Sequence, residues 1–283
     1  SRPVDSIVAE ARRLAAEGVK EINLISQDTI NYGVDLGLRQ GLLSLLRELV
    51  KVDGLHWIRP FYLYPQQITD DLLDLYAGEE KIVKYIDMPL QHINDRMLTR
   101  MHRLGNRAVI EALVDRIRTR IPGITFRTAF IVGFPAETDA AFTELRDYVE
   151  QAEFDRVAVF VYSDEDGTPA AQLDDKIERD VMDDRRNAIL SIQETIAASK
   201  GTAKIGSILD VLIDGRSEET EGVLEGRHEG LAPEIDGVVY VDEDSADTAS
   251  KASDPAPGDF YRVQITDAAG FDLVGHIVTS TAH

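Results

Sequence analysis

Thr125-Phe126-Arg127-Thr128-Ala129-Phe130-Ile131-Val132-Gly133 is the stretch on which the fold turns. It is a short, β-rich, largely apolar run, the signature of a buried strand. Phe142, Leu145, Val149 and Ala152 follow it at spacings of three and four, the period of an amphipathic helix. A second β-rich run, Arg156 to Tyr162, comes next. Strand, helix and strand in this order imply two parallel strands joined by a helical crossover.

Upstream, the same alternation repeats. Pro3 and Asp5 suit a first helical turn, Ile7, Ala11, Leu14 and Ala15 form its face, and Gly18 ends it. Glu21 to Asp28 reads as a strand that turns polar at its end. Leu42, Leu45, Leu46 and Leu49 mark a helix closed by Asp53-Gly54. Trp57 to Tyr64 reads as a strand blemished by Pro60. Thr69 is placed to cap a helix carrying Leu72, Leu73 and Tyr76. Ile82 to Asp87 is a strand, followed by a short helix with Met97, Leu98 and Met101 and a longer one with Ile110, Leu113, Val114 and Ile117. Arg179 to Lys200 forms the last amphipathic helix of this half. Five strands, each followed by helix, predict a parallel sheet, open or curled into a barrel. The count opens on a helix, so the repeat is expected to lack its first strand.

The pattern changes at Gly201, so residues 1–200 and 201–283 are expected to form two domains. Five short β-runs follow: Ser207 to Ile213, Thr220 to Leu224, Gly237 to Val241, Phe260 to Thr266 and Leu273 to Val278. They predict a small antiparallel β-barrel. The low-complexity acidic stretch 242–253 between them is expected to be mobile.

The formal net charge is −21, which disfavours unaided contact with nucleic acid phosphates. It fits either simple solubility or a basic protein partner. There is no cysteine, so disulfides, thiol catalysis and thiolate metal sites cannot arise from these residues. No apolar run reaches the ~18 residues of a membrane helix.

In a barrel of βα units, functional side chains collect at the C-terminal ends of the strands. Those ends read Ser26-Gln27-Asp28, Tyr62-Leu63-Tyr64, Gln91-His92, Arg127 with Gly133-Phe134, and Tyr162-Ser163-Asp164-Glu165. Arg127 stands out, because a guanidinium in an apolar strand needs a carboxylate. That carboxylate comes from the protein or from a ligand. His56, His92, His102, His228, His276 and His283 are scattered, without metal-ligand spacing, and most are expected at the surface or in helper roles. Asp164, Glu165 and Asp166 are expected to form a solvated turn.

Leu24 to Thr29 with Tyr32-Gly33, Met88 to Ile93 with Met101-His102-Arg103, Ile131 to Thr138, Tyr162 to Ala170, and Ala232 to Gly237 together resemble the RimO family of radical S-adenosylmethionine methylthiotransferases. The resemblance runs over the whole chain. It implies a partial (β/α) radical S-adenosylmethionine barrel lacking its first strand, followed by a TRAM barrel. It implies methylthiolation of the β-carbon of an aspartate in small-subunit ribosomal protein S-twelve, through a 5′-deoxyadenosyl radical. The cofactors implied are S-adenosylmethionine and two four-iron four-sulfur clusters. Family members carry an N-terminal methylthiotransferase domain and a Cys-x-x-x-Cys-x-x-Cys loop. Both are expected upstream of Ser1, so the chain is expected to be the C-terminal two-thirds of the enzyme, unable to bind a cluster and inactive alone.

By resemblance, Arg127 is expected to meet the methionyl carboxylate, Gln27, Asp28 and Gln91 the ribose or amino group, and Tyr162 the adenine. The partner implied is the basic ribosomal protein, in the cytoplasm, with neither membrane nor direct nucleic acid binding. Two alternatives stand beside it. One is the sister enzyme acting on a transfer RNA adenosine. Against it, residues 201–283 hold 5 Lys+Arg and 17 Asp+Glu, where an RNA-gripping barrel should be basic. The other is that the chain alone is a protein-binding module.

Overall fold

In the computed structural model, residues 1–103, 105–218, 220–242 and 255–280 are described. The first half alternates helix and strand as α1 (Val4–Ala16), β1 (Glu21–Leu24), α2 (Gly41–Leu49), β2 (Trp57–Pro60), α3 (Asp70–Gly78), β3 (Tyr85–Asp87), α4 (Asp95–Arg100), α5 (Arg107–Arg120), β4 (Thr125–Val132), α6 (Asp139–Ala152), β5 (Arg156–Val161) and α7 (Arg179–Thr202). β1 pairs parallel with β2, β3 with β4, and β4 with β5. A parallel bridge from Ile58 to Ile82 joins the two groups. The result is one curved parallel sheet in chain order, with its helices on the outer face.

Local chemistry sets the helix starts. Thr69, Asn94, Asn106 and Thr138 each accept the backbone N–H three residues on, satisfying a donor the helix leaves free. The core lies between sheet and helices. Along β4, Phe126, Thr128, Phe130 and Val132 are buried, and Phe126 and Phe130 pack with Leu145, Val149, Phe154 and Ile189. The alternate residues Arg127, Ala129 and Ile131 face the concave side, because successive strand side chains point to opposite faces.

Three strands are shorter than their apolar runs: β3 begins only at Tyr85, and two others end early. β1 stops at Leu24, and Ile25 beyond it is exposed. β2 stops at Pro60, which has no N–H to continue a ladder, and Tyr62 then takes a left-handed φ of 55°. The backbone therefore leaves the sheet early and forms the loops that edge the concave side.

The second half is a closed barrel of β6 (Ile208–Arg216), β7 (Val223–His228), β8 (Val239–Asp242), β9 (Phe260–Ala269) and β10 (Asp272–Ser280), ordered β10-β8-β7-β6-β9. The all-antiparallel expectation needs one correction. β8 and β10 run parallel, with Leu273 opposite Val239. A closed ring of five strands cannot alternate direction throughout, so one pair must be parallel. Most of the acidic stretch 242–253, expected to be mobile, lies outside the described residues.

The small barrel packs beneath the N-terminal ends of the parallel strands. Leu212, Ala232 and Phe260 share a buried cluster with Trp57, Phe61, Val83 and Tyr85. Trp57 and Phe260 meet edge to face, centroids 4.8 Å apart. A buried ion network crosses the same boundary. Glu21 accepts from Arg59 Nε at 2.8 Å and from Arg227, and Arg227 also grips Asp214 through Nε and Nη2 at 2.7 and 2.8 Å.

Candidate functional site

A cavity of about 730 Å³ opens at the C-terminal ends of the strands, opposite the small barrel. Ile25, Ser26, Gln27, Tyr62, Tyr64, Asp87, Pro89, Gln91, Arg127, Ala129, Ile131 and Phe160 line it. Each group comes from a different strand or the loop just after it, the arrangement in which βα units gather a ligand site.

Arg127 projects from the concave face of β4, and its guanidinium Nη1 donates to Asp87 Oδ1 at 2.7 Å. The two residues are register partners on β3 and β4. Burial works against the charged guanidinium, but Asp87, with Tyr85 and Asp236 adding to it, outweighs burial and holds Arg127 above its ordinary pKa. Of the two carboxylate sources open from sequence, the protein supplies one. Arg127 nevertheless lines the cavity, and its side chain keeps 18% of its exposure. Asp87 Oδ2 accepts the Tyr62 N–H at 3.1 Å, which ties the loop after β2 to the same carboxylate.

Gln91 also lines the cavity, with a left-handed φ of 71°. Its N–H donates to the Ala129 carbonyl at 2.8 Å, and its carbonyl accepts from Ile131 N at 2.9 Å. Such a backbone is costly for a non-glycine residue and persists only when its surroundings impose it. The next residue supplies the constraint. His92 is fully buried, and its Nδ1 accepts the N–H groups of Ile93 and Asn94 at 2.9 and 3.0 Å. The proton therefore sits on Nε2, which donates to Glu137 Oε1 at 3.1 Å. Glu137 Oε2 accepts from Gly133 N and from Arg185 Nη1, both at 2.7 Å. The Gly133–Thr138 loop, the Gln91-His92 turn and α7 are thus locked together behind the cavity.

Of the five residues singled out from sequence, the structure brings Gln27, Gln91 and Arg127 together around the cavity. Asp28 and Tyr162 are not among its lining. Asp28 Oδ2 accepts from Asn31 Nδ2 at 2.5 Å, holding the loop after β1. Tyr162 packs on Phe134 with centroids 5.1 Å apart, and its hydroxyl donates to Asp164 Oδ1 at 2.8 Å. Lys176 sits over the same ring, so Asp164 belongs to a local cluster rather than a bare acidic turn. His92 and His228 are buried, unlike the surface positions expected of most histidines.

Asp87, Ala129, Ile131 and Phe160 were not anticipated. Strand alternation from Arg127 points to Ala129 and Ile131, and an acid closing the run 82–87 points to Asp87. Phe160 carries no such signal. It stands 58% exposed among valines, and with Ile25 it gives the mouth an apolar rim.

Among the described residues, no group of three or more His, Asp or Glu side chains is placed to hold a metal ion. With no cysteine in the chain, thiolate ligands for an iron–sulfur cluster do not come from these residues.

Comparison with known proteins agrees with the two-part fold. Residues 1–149 match the Radical SAM superfamily, and residues 205–278 match the TRAM domain. The chain is 47% identical over 278 residues to the ribosomal protein uS12 methylthiotransferase RimO of Anaeromyxobacter sp. (strain K), covering 98% of this chain and 57% of that protein. It is 46% identical over 284 residues to the RimO of Sorangium cellulosum (strain So ce56), covering 98% and 56%. With the RimO of Geotalea uraniireducens (strain Rf4) it shares 44% over 278 residues, covering 98% and 60%. The chain thus spans a little over half the length of these curated relatives. The chain belongs to the Radical SAM superfamily and carries a C-terminal TRAM domain.

Proposed function

We propose that this chain forms the cofactor-holding barrel and TRAM domain of a methylthiotransferase acting on ribosomal protein S-twelve, and that its cavity receives S-adenosylmethionine. The convergence of Arg127, Gln27 and Gln91 on one cavity, in a chain similar to RimO over its whole length, carries this reading. The volume suits a nucleoside with an amino acid tail. Arg127 would hold the carboxylate and Gln27 and Gln91 the ribose or amino group, as donors and acceptors on fixed strand ends. Ile131 and Phe160 offer apolar surface for the adenine. Asp28 acts one step back, by shaping the loop that carries Gln27. Tyr162 acts through the Phe134 packing behind the strand.

When bound, S-adenosylmethionine supplies the hydrogen-abstracting chemistry by which a methylthio group is installed on the aspartate β-carbon. The two four-iron four-sulfur clusters of such an enzyme belong to cysteines outside these residues. This chain's own part is to orient the cofactor and to exclude water from it. The formal charge of −12 over residues 201–283 favours a basic protein partner over RNA, and a ribosomal substrate implies a cytoplasmic setting.

The test is binding in the full-length enzyme with its clusters reconstituted. Arg127→Gln and Gln91→Ala should each weaken S-adenosylmethionine binding about tenfold or more, as expected for lost charge-assisted or polar contacts. Wild-type affinity in both variants would remove the cavity from the reading. Methylthiolation of a peptide bearing the substrate aspartate, followed by mass spectrometry, tests the activity itself.

A further inference from the structure

The polar groups of the cavity do not end at Asp87 and Arg127. The loop between β7 and β8 sends Asp236 up from the small barrel, and its side chain is 1% exposed. Asp236 Oδ2 accepts the Tyr85 hydroxyl at 2.7 Å and the Ala232 N–H at 2.9 Å. Asp236 Oδ1 lies 3.7 Å from Arg156 Nε. Tyr85 and Asp87 are two residues apart on β3 and so share its concave face. Arg127 is the register partner of Asp87 on one side and of Arg156 on the other. Asp236, Tyr85, Arg156, Arg127 and Asp87 therefore form one column from the floor of the half-barrel to the cavity.

A buried carboxylate is costly unless it is paired. The hydrogen bond to Ala232 accounts for a turn, but it does not require the Tyr85 hydroxyl or a neighbouring arginine. The column has an electrostatic reason. Arg127 and Arg156 are adjacent like charges on paired strands, and each faces a carboxylate from a different domain. Asp87 serves Arg127 through a hydrogen bond, and Asp236 stands within ion-pair range of Arg156, whose Nη1 donates to the Asp155 carbonyl at 2.8 Å and whose guanidinium lies over Phe271. The Arg59 guanidinium lies over the Tyr85 ring, 4.7 Å from its centroid. The phenol is therefore a fixed link between the two domains.

We propose that Asp236 is a positioning residue for the cavity: through Tyr85 and Arg156 it holds Arg127 in place, so the TRAM domain sets how tightly the cavity grips a ligand carboxylate. This rests on the reading that Arg127 meets the methionyl carboxylate. Without the Asp236 charge, Asp87 is the one carboxylate left in the column beside two register-paired arginines, and the hold on Arg127 toward the ligand loosens.

The test uses the full-length, cluster-reconstituted protein and two probes. One is S-adenosylmethionine. The other is 5′-methylthioadenosine, which carries the same nucleoside without the amino acid carboxylate. In Asp236→Asn and in Tyr85→Phe, affinity for S-adenosylmethionine should fall about fivefold, the scale of coupling through a packed network, while affinity for 5′-methylthioadenosine stays at the wild-type value. The double variant should lose no more than the greater single loss, because both act on one column. An equal loss for both probes, or no loss for either, overturns the proposal. Should Asp236→Asn fail to fold, Tyr85→Phe decides by the same comparison. Arg127→Gln separates the two levels. If it leaves the discrimination between the probes intact, the underlying cavity reading fails. If it abolishes the discrimination while Asp236→Asn leaves it at the wild-type value, the cavity reading stands and only the role of Asp236 fails.

Discussion

Arg127 Nη1 donates to Asp87 Oδ1 at 2.7 Å across the β3–β4 register, while the other oxygen of Asp87 holds the backbone of Tyr62. One carboxylate thus orients the cationic group of the cavity and the loop at its mouth. Replacing Asp87 by alanine leaves a largely buried guanidinium without its partner and should destabilise the protein by about 3 kcal/mol. Urea unfolding measures it. A loss no larger than that of a typical exposed substitution would show that the pair is idle.

Glu137 is the hub behind Gln91, serving His92, Gly133 and Arg185 at once. Glu137→Gln keeps the shape but removes the charge facing Arg185, whose side chain is 7% exposed. The expected cost is about 3 kcal/mol, accompanied by weaker S-adenosylmethionine binding as the Gln91 turn loosens. Denaturation midpoints and titration calorimetry give the two values. Unchanged stability would contradict the network.

Gly133 has φ +75°, and a Cβ there would crowd Met182, with its Sδ 2.8 Å away. Gly133→Ala should cost about 2 kcal/mol through backbone strain and overpacking together. In a Met182→Ala background, which carries its own truncation cost as the reference, Gly133→Ala should cost less but not nothing, because the crowding is relieved and the strain is not, so only part of the loss is recovered. Full recovery would leave no role for the backbone conformation.

His228 is buried between the domains, and its Nδ1 accepts the Gly230 N–H at 3.0 Å. Burial, followed by the charges of Lys204, Arg156 and Arg59, pushes its pKa from 6.5 down to about 3. Between those values the unfolded chain holds a proton that the folded chain does not. Stability is therefore complete above pH 6.5 and declines as pH falls toward 3, by about 1.4 kcal/mol per unit. Equilibrium unfolding from pH 7.5 to 5 should reveal this slope, and His228→Gln should flatten it. Parallel curves for the two proteins would assign the acid sensitivity elsewhere.

Much of this architecture is legible along the chain. The periods of Phe142 to Ala152 and of Ile110 to Ile117 locate α6 and α5, and Thr69 marks a real cap, because periodicity and capping are local properties. Strand ends are less legible. Ile25 and Phe61-Tyr62-Leu63 look like strand, yet the regular ladder ends before them, since Pro60 lacks an N–H and Tyr62 takes a left-handed φ of 55°. The site divides in the same way. Gln27, Gln91 and Arg127 were visible as polar residues closing or interrupting apolar runs. Phe160 was hidden because an aromatic in a strand reads as core whichever way it points.

By itself the sequence determined a parallel βα repeat followed by a small barrel, a chain free of thiols, and a strand arginine that demands a carboxylate. These follow from period, composition and the cost of burying charge. Only the tertiary structure decided which carboxylate answers Arg127, that Tyr162 turns toward Phe134, and that Asp236 reaches Tyr85 from 151 residues away in the chain. Such contacts depend on how the sheet curves and where the second domain docks, and no local pattern encodes that.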